Sequence, residues 1–133
     1  MTTFLDTNIL IYLTNPVEAH HQWAVDQLQL CKANGPAIIS DIVYCEFSTG
    51  MKNKAEVDEV VARFDLERIR GSDEALVKAG AAFKVYKSRQ GTKTNVLPDF
   101  LIGAIADVLG APLLTANERD FTGYFPNLKV ISP

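Results

Sequence analysis

Histidine and cysteine are scarce in this chain, with two of each among 133 residues. His20 and His21 are adjacent and read as a surface pair at the start of a helix, which leaves no separated histidines for a metal-free acid–base mechanism. Cys31 and Cys45 lack CxxC spacing. That suits reduced thiols in a cytosol rather than a disulfide scaffold or a thiolate metal site. No apolar run approaches the roughly 18 residues that span a bilayer, and no basic stretch precedes the first apolar segment as a secretory signal requires. The expectation is a cytoplasmic protein with no membrane partner. Positive charge is short as well: the formal net charge is −3, the wrong sign for a protein that coats nucleic acid with a basic surface, although local basic patches are compatible with it. Repeats, low-complexity tracts and linkers are also missing, so the length fits one domain over residues 1–133.

What the chain does have is apolar residues, 47% against 22% charged, the composition of a globular protein with a core. Short apolar runs alternate with longer helical ones. Residues 3–6 read as a strand, with helix from about residue 9 and again over about 16–33. Asn34-Gly35-Pro36 breaks the pattern, and 37–40 is a second strand. Helical stretches over 41–52 and 55–64 lead to a weakly marked strand at 66–70. Residues 73–89 are helical, 91–95 a loop and 97–109 a helix stopped by Gly110. Short strands close the chain at 112–115 and 129–132. This alternation implies right-handed crossovers and a parallel sheet covered on both faces. In open sheets of that kind, sites lie beyond the carboxyl ends of the strands.

Polar residues interrupt the apolar pattern at those ends. In FLDTNILIYL, residues 4–13, Asp6 falls where the first strand stops; it reads equally as a helix cap and as a side chain facing the crevice. Glu46 shares a helical stripe with Ile42, Val43 and Gly50, where an ionised carboxylate is costly unless a cation or donor network meets it. Ser40 and Asp41 need no more than a capping role. Asp99 follows Pro98 at the head of a helix that is apolar almost all round, a position that favours the dipole and also lies near the sheet's edge. Asp107, roughly 12 Å further along that helix, is set aside. Asn117 and Asp120 lie just past a strand that ends at Thr115. Each acid has a local explanation, but none of these explains why all converge on one end of one sheet. Converging carboxylates repel unless divalent cations neutralise them, and oxygen-only ligands point to Mg²⁺ or Mn²⁺.

In this order and spacing, FLDTNILIYL, the Glu46 helix, PDFLIGAIA and LLTANERDF resemble the PIN-domain ribonucleases, and more narrowly the VapC-type toxins of prokaryotic toxin–antitoxin pairs, over essentially the whole chain. The resemblance implies a three-layer α/β/α sandwich around a four- to five-stranded parallel sheet, with a Mg²⁺- or Mn²⁺-dependent endoribonuclease site. It carries Asp6, Glu46 and Asp99 onto the acidic, metal-binding positions. The fourth catalytic position, Asp or Asn in the family, falls on Asn117, with Asp120 the nearest carboxylate. Asn8 matches the amide that braces the first Asp, and Thr115 is the supporting threonine that ends the strand. Asparagine at 117 leaves less charge for a second metal. The implied partners are an RNA substrate, a second copy of the chain in a homodimer, and a VapB-like antitoxin whose tail lies across the acidic crevice.

Other classes fit less well. A phospho-receiver domain needs paired acids after its first strand and an acceptor Asp after its third, and this chain has neither. Asn8 stands where a DxD phosphatase needs its second Asp. A non-catalytic PIN-like module would have lost acids, whereas a PIN nuclease of RNA processing, acting without an antitoxin, shares every feature named. Lys52, Lys54, Lys84, Lys87, Arg89 and Lys93 read equally as solvated helix faces and as phosphate contacts. Tyr12 and Tyr44 read as core or dimer contacts. Ile11, Tyr12, Leu13 and Trp23 form an apolar group near the N-terminal helices, the kind of patch that marks an interface.

Overall fold

The computed structural model describes residues 1–93 and 95–133; the loop expected over 91–95 therefore contains one position, Thr94, that lies outside the described residues. The order of elements is β1 (Thr3–Leu5), α1 (Thr7–Thr14), α2 (His21–Asn34), β2 (Ala37–Ser40), α3 (Asp41–Ser48), α4 (Lys54–Arg63), β3 (Glu67–Ile69), α5 (Asp73–Ser88), α6 (Leu97–Val108), β4 (Leu113–Leu114), α7 (Arg119–Thr122) and β5 (Val130–Ile131). The strands form one sheet in the order β3-β2-β1-β4-β5, every pair parallel. β1, β2 and β4 are buried along their length, which is why they read as unbroken apolar runs rather than alternating ones. From β1 the chain first moves out to β2 and β3, then returns to add β4 on the other side. The order thus reverses between β1 and β4, where Phe4 pairs with Leu113 and Leu5 with Leu114.

Helix boundaries follow from local hydrogen bonding. α1 begins two residues earlier than its apolar pattern suggests because Asp6 caps it, accepting from the Thr7 N–H at 2.7 Å. α2 starts at His21, not near Pro16. The intervening residues turn, with the Glu18 N–H on the Asn15 carbonyl, and His21 Nδ1 lies 2.7 Å from the Tyr12 carbonyl oxygen. His21 is thus half-buried and tied to α1 rather than a surface group. α3 stops at Ser48, where the Ser48 and Thr49 hydroxyls donate back to the Cys45 and Glu46 carbonyls and compete with the helix ladder.

α6 is buried through Phe100, Ile102, Gly103, Ala104, Ile105 and Ala106, packing against α5 on one side and α7 on another. Gly103 is there for close approach: a Cβ would sit 2.7 Å from the Phe125 ring and 2.9 Å from that of Phe121. Those rings are fully buried, and each contributes roughly 1.5–3 kcal/mol by leaving water. The apolar group expected near the N-terminal helices is not a patch. Leu13 is buried and Tyr12 and Trp23 are half-buried against the core, leaving only Ile11 of the four exposed, because α2 folds back over α1. Cys31 is buried, Cys45 exposed, and both are free. Among the described residues no helix is long and apolar enough to cross a membrane.

Candidate active site

Asp6 sits at the point where the strand order reverses, the place where open α/β sheets bind their ligands. Its side chain is 4% exposed. Burial pushes its carboxyl above the usual carboxylate range, opposed by the Thr115 hydroxyl and the Thr7 N–H and reinforced by the nearby charges of Glu46 and Asp120. Oδ2 accepts from the Thr115 hydroxyl at 2.6 Å and from the Asn8 amide at 3.4 Å, while Oδ1 takes the Thr7 N–H. Three donors therefore orient one buried acid. Thr115 is fully buried and also accepts the Asn117 N–H at 3.0 Å, and Asn8 Oδ1 accepts the Ala116 N–H at 3.2 Å. The same polar group fixes the loop after β4 and aims the carboxylate.

Glu46 comes from α3, half-buried, with the Thr7 hydroxyl donating to it at 2.7 Å. Asp99 lies in the first turn of α6 behind Pro98. Its carboxyl is pushed up to about 7, first by burial and then by the charges of Asp6, Asp120 and Glu46, with only Lys93 pulling the other way. Carboxylates from β1's end, α3, α6 and α7 thus lie near enough for the charges of Glu46 and Asp120 to push up the carboxyls of Asp6 and Asp99. None of them is in an ion pair among the described residues; the pairs found lie elsewhere, including Lys78 with Asp107 on the far part of α6. Asp107 belongs to that pair and stays outside the cluster.

Asn117 is exposed, and its backbone rather than its side chain makes the contacts described: the N–H to Thr115 and the carbonyl to the Asp120 N–H at 3.1 Å. Asp120 is the member of this pair whose charge reaches Asp6 and Asp99. Of the six basic candidates, Lys93 lines a hollow with Asp99 and Asp120. Lys54 pairs with Asp58, Lys87 lies over the Phe83 ring and Arg89 over that of Tyr124. Two residues escaped the reading of the sequence. Thr7 lies between Asp6 and Asn8, and its bond to Glu46 spans 39 positions. Arg119 lines the same hollow as Lys93 and sits inside LLTANERDF beside Asp120, where a cation within an acidic motif was the available signal.

A hard divalent cation fits the donor set. Every candidate ligand is oxygen, and the neighbouring acidic charges help to raise Asp99 to about 7, a repulsion that a bound cation would relieve. The side chains are not drawn into a coordination shell: among the described residues no three acidic, histidine or cysteine side chains are gathered tightly enough to share one ion. Repulsion between carboxylates acts over longer distances than metal–oxygen bonds do, so the two observations agree.

Fold and site together define an α/β domain with an acidic crevice at the switch point of a parallel sheet. The PIN-domain family model matches residues 3–124, and the chain belongs to that family. Among solved structures it is similar to VapBC2 from Rickettsia felis bound to a promoter DNA fragment, at 27% identity, a TM-score of 0.78, and coverage of 99% of this chain and 98% of that one. A toxin–antitoxin complex from Klebsiella pneumoniae is similar at 28% identity and a TM-score of 0.68, covering 98% and 97%. The sarcin–ricin loop cleaving toxin VapC20 of Mycobacterium tuberculosis shares the fold at 16% identity and a TM-score of 0.63, covering 96% and 98%. No curated protein matches the chain by sequence.

Proposed function

We propose that the chain is a Mg²⁺- or Mn²⁺-dependent endoribonuclease and the toxin of a VapBC-type pair, working in the cytoplasm. The observation that carries this reading is the convergence of Asp6, Glu46, Asp99 and Asp120 with no basic side chain paired to any of them among the described residues. A structural cluster would be neutralised by the protein itself; this one leaves the charge to a ligand. Similarity to toxin–antitoxin complexes from Rickettsia felis and Klebsiella pneumoniae supports the toxin role.

Asp6, Glu46 and Asp99 would hold the metal, which when bound lowers the pKa of a water and neutralises charge on the scissile phosphate. Thr115, Thr7 and Asn8 keep the lone pairs of Asp6 aimed into the crevice, and the Thr7 hydroxyl does the same for Glu46. Asp120 stands at the crevice wall on α7 beside Lys93 and Arg119, cations suited to the phosphates on either side of the cut. The partners are RNA, an antitoxin and a second copy of the chain. An Arg or Lys from the antitoxin entering the crevice would meet the same carboxylates and block the phosphate.

Incubating the purified protein with RNA tests the reading. Cleavage is expected with Mn²⁺ and is lost with EDTA and in Asp6→Asn. Cleavage that persists in EDTA, or unchanged calorimetric Mn²⁺ binding by Glu46→Gln, would reject it.

A further inference from the structure

We propose that the hollow beside Asp99 and Asp120 is a nucleobase subsite that holds one unpaired base of the RNA next to the bond being cut. This deepens the ribonuclease reading and rests on it. The hollow encloses about 180 Å³; Tyr86, Phe100 and Tyr124 form an aromatic wall, and Lys93 and Arg119 stand beside the two carboxylates. Because Asp99 and Asp120 belong both to the hollow and to the acidic cluster, whatever fills it is adjacent to the reacting phosphate.

The wall is held in place from behind. Ring centroids of Phe100 and Tyr124 are 4.9 Å apart, and those of Tyr86 and Phe100 5.9 Å. The Tyr86 hydroxyl accepts the Lys93 N–H at 2.8 Å, and a Cβ at Gly91 would lie 2.2 Å from the Tyr86 ring. The chain leaving α5 is therefore folded down onto that ring. The Arg89 guanidinium lies over Tyr124 at 5.2 Å, and both residues line a second hollow on the α5 side. Tyr124 is thus a fixed partition, backed by a cation.

An aliphatic or purely cationic ligand does not suit this composition. Aromatic faces accept any base by stacking, and lysine and arginine accept the phosphates that flank it, the combination by which proteins hold single-stranded nucleic acid. The small enclosed volume suits one splayed base, as in enzymes that take a base out of its stack.

Short single-stranded RNAs carrying fluorescent 2-aminopurine at one position at a time, bound with Mg²⁺ to the cleavage-deficient Asp6→Asn protein, provide the test. Quenching is expected at one position flanking the bond that the wild type cuts. Tyr124→Leu should abolish the quench and weaken binding roughly tenfold, while Tyr124→Phe keeps both. Arg119→Gln changes an exposed residue and leaves the core untouched, and it should weaken binding of the same RNA. The wild-type enzyme should cut an RNA that is abasic at that position with roughly tenfold lower kcat/KM, the loss falling mainly on KM. A quench that survives Tyr124→Leu, or an abasic RNA cut as fast as the intact one, overturns the subsite while leaving the nuclease standing. No cleavage of any RNA rejects the nuclease reading, and the subsite with it.

Discussion

Thr115 carries more of the site than its size suggests. Its hydroxyl donates to Asp6 and accepts the Asn117 N–H, in a fully buried position. Thr115→Val keeps the shape but strands both partners, so it should cost about 1–3 kcal/mol in urea unfolding and reduce cleavage as well. A variant of unchanged stability would show that solvent replaces the hydroxyl. Asp99 sets the pH behaviour. Its folded pKa of about 7 lies above the ordinary value of 3.8, so the folded state keeps a proton that the unfolded chain releases. The stability this provides is complete below about pH 4 and is lost as pH rises through 7; the raised carboxyl of Asp6 acts with the same sign. Thermal melts in EDTA should therefore fall in midpoint between pH 5 and pH 8, and Asp99→Asn should flatten the profile. At pH 8, Mn²⁺ at a hundred times its Kd should restore about 2.7 kcal/mol. A profile that Asp99→Asn leaves unaltered would disconnect this residue from the effect.

At the scale of elements, α7 is a single short helix whose position depends on one missing side chain. Gly103 lets the Phe121 and Phe125 rings approach α6, and Phe121 belongs to α7, as do Arg119 and Asp120. Gly103→Ala should overpack this contact, lower stability by roughly 1–3 kcal/mol and reduce RNA cleavage without touching a carboxylate. Full activity in that variant would mean the rings have room to move. The strands and long helices were legible because burial writes itself into runs and stripes: β1, β2, α5 and α6 lie close to where the apolar pattern puts them. Asp6, Glu46 and Asp99 stood out because a charge on an apolar pattern is conspicuous. Elements or contacts set by a distant partner were not legible. The start of α2 depends on His21 meeting the Tyr12 carbonyl, and Leu13 is buried by a helix that folds back over it. Likewise, the turn after Thr115 is suspended from Asn8 and from the Thr115 hydroxyl, contacts that span more than a hundred positions in the first case and carry no mark in the sequence pattern.

At the scale of the whole molecule, Val77 is 73% exposed and Val85 40% on α5. They lie two helical turns apart and so on one face, an apolar surface of the kind that partners cover. Light scattering should give twice the 14.6 kDa chain mass, and Val77→Asp should shift it toward one. A wild-type monomer would remove the homodimer, and a Val77→Asp protein that stays dimeric would place its interface elsewhere. On the proposed toxin role, the sheet order also determines when in its synthesis the protein could begin to act. Asp6 receives its hydroxyl donor from a residue 109 positions later, and β1 gains its second neighbour only when Leu113 and Leu114 arrive. A ribosome that has released just the first hundred residues therefore holds a central strand with one open edge and a carboxylate that still lacks its Thr115 donor. Long-range closure of this kind comes late in folding, so the proposed site is incomplete through most of the chain's synthesis. The proposed antitoxin would have that interval in which to reach it.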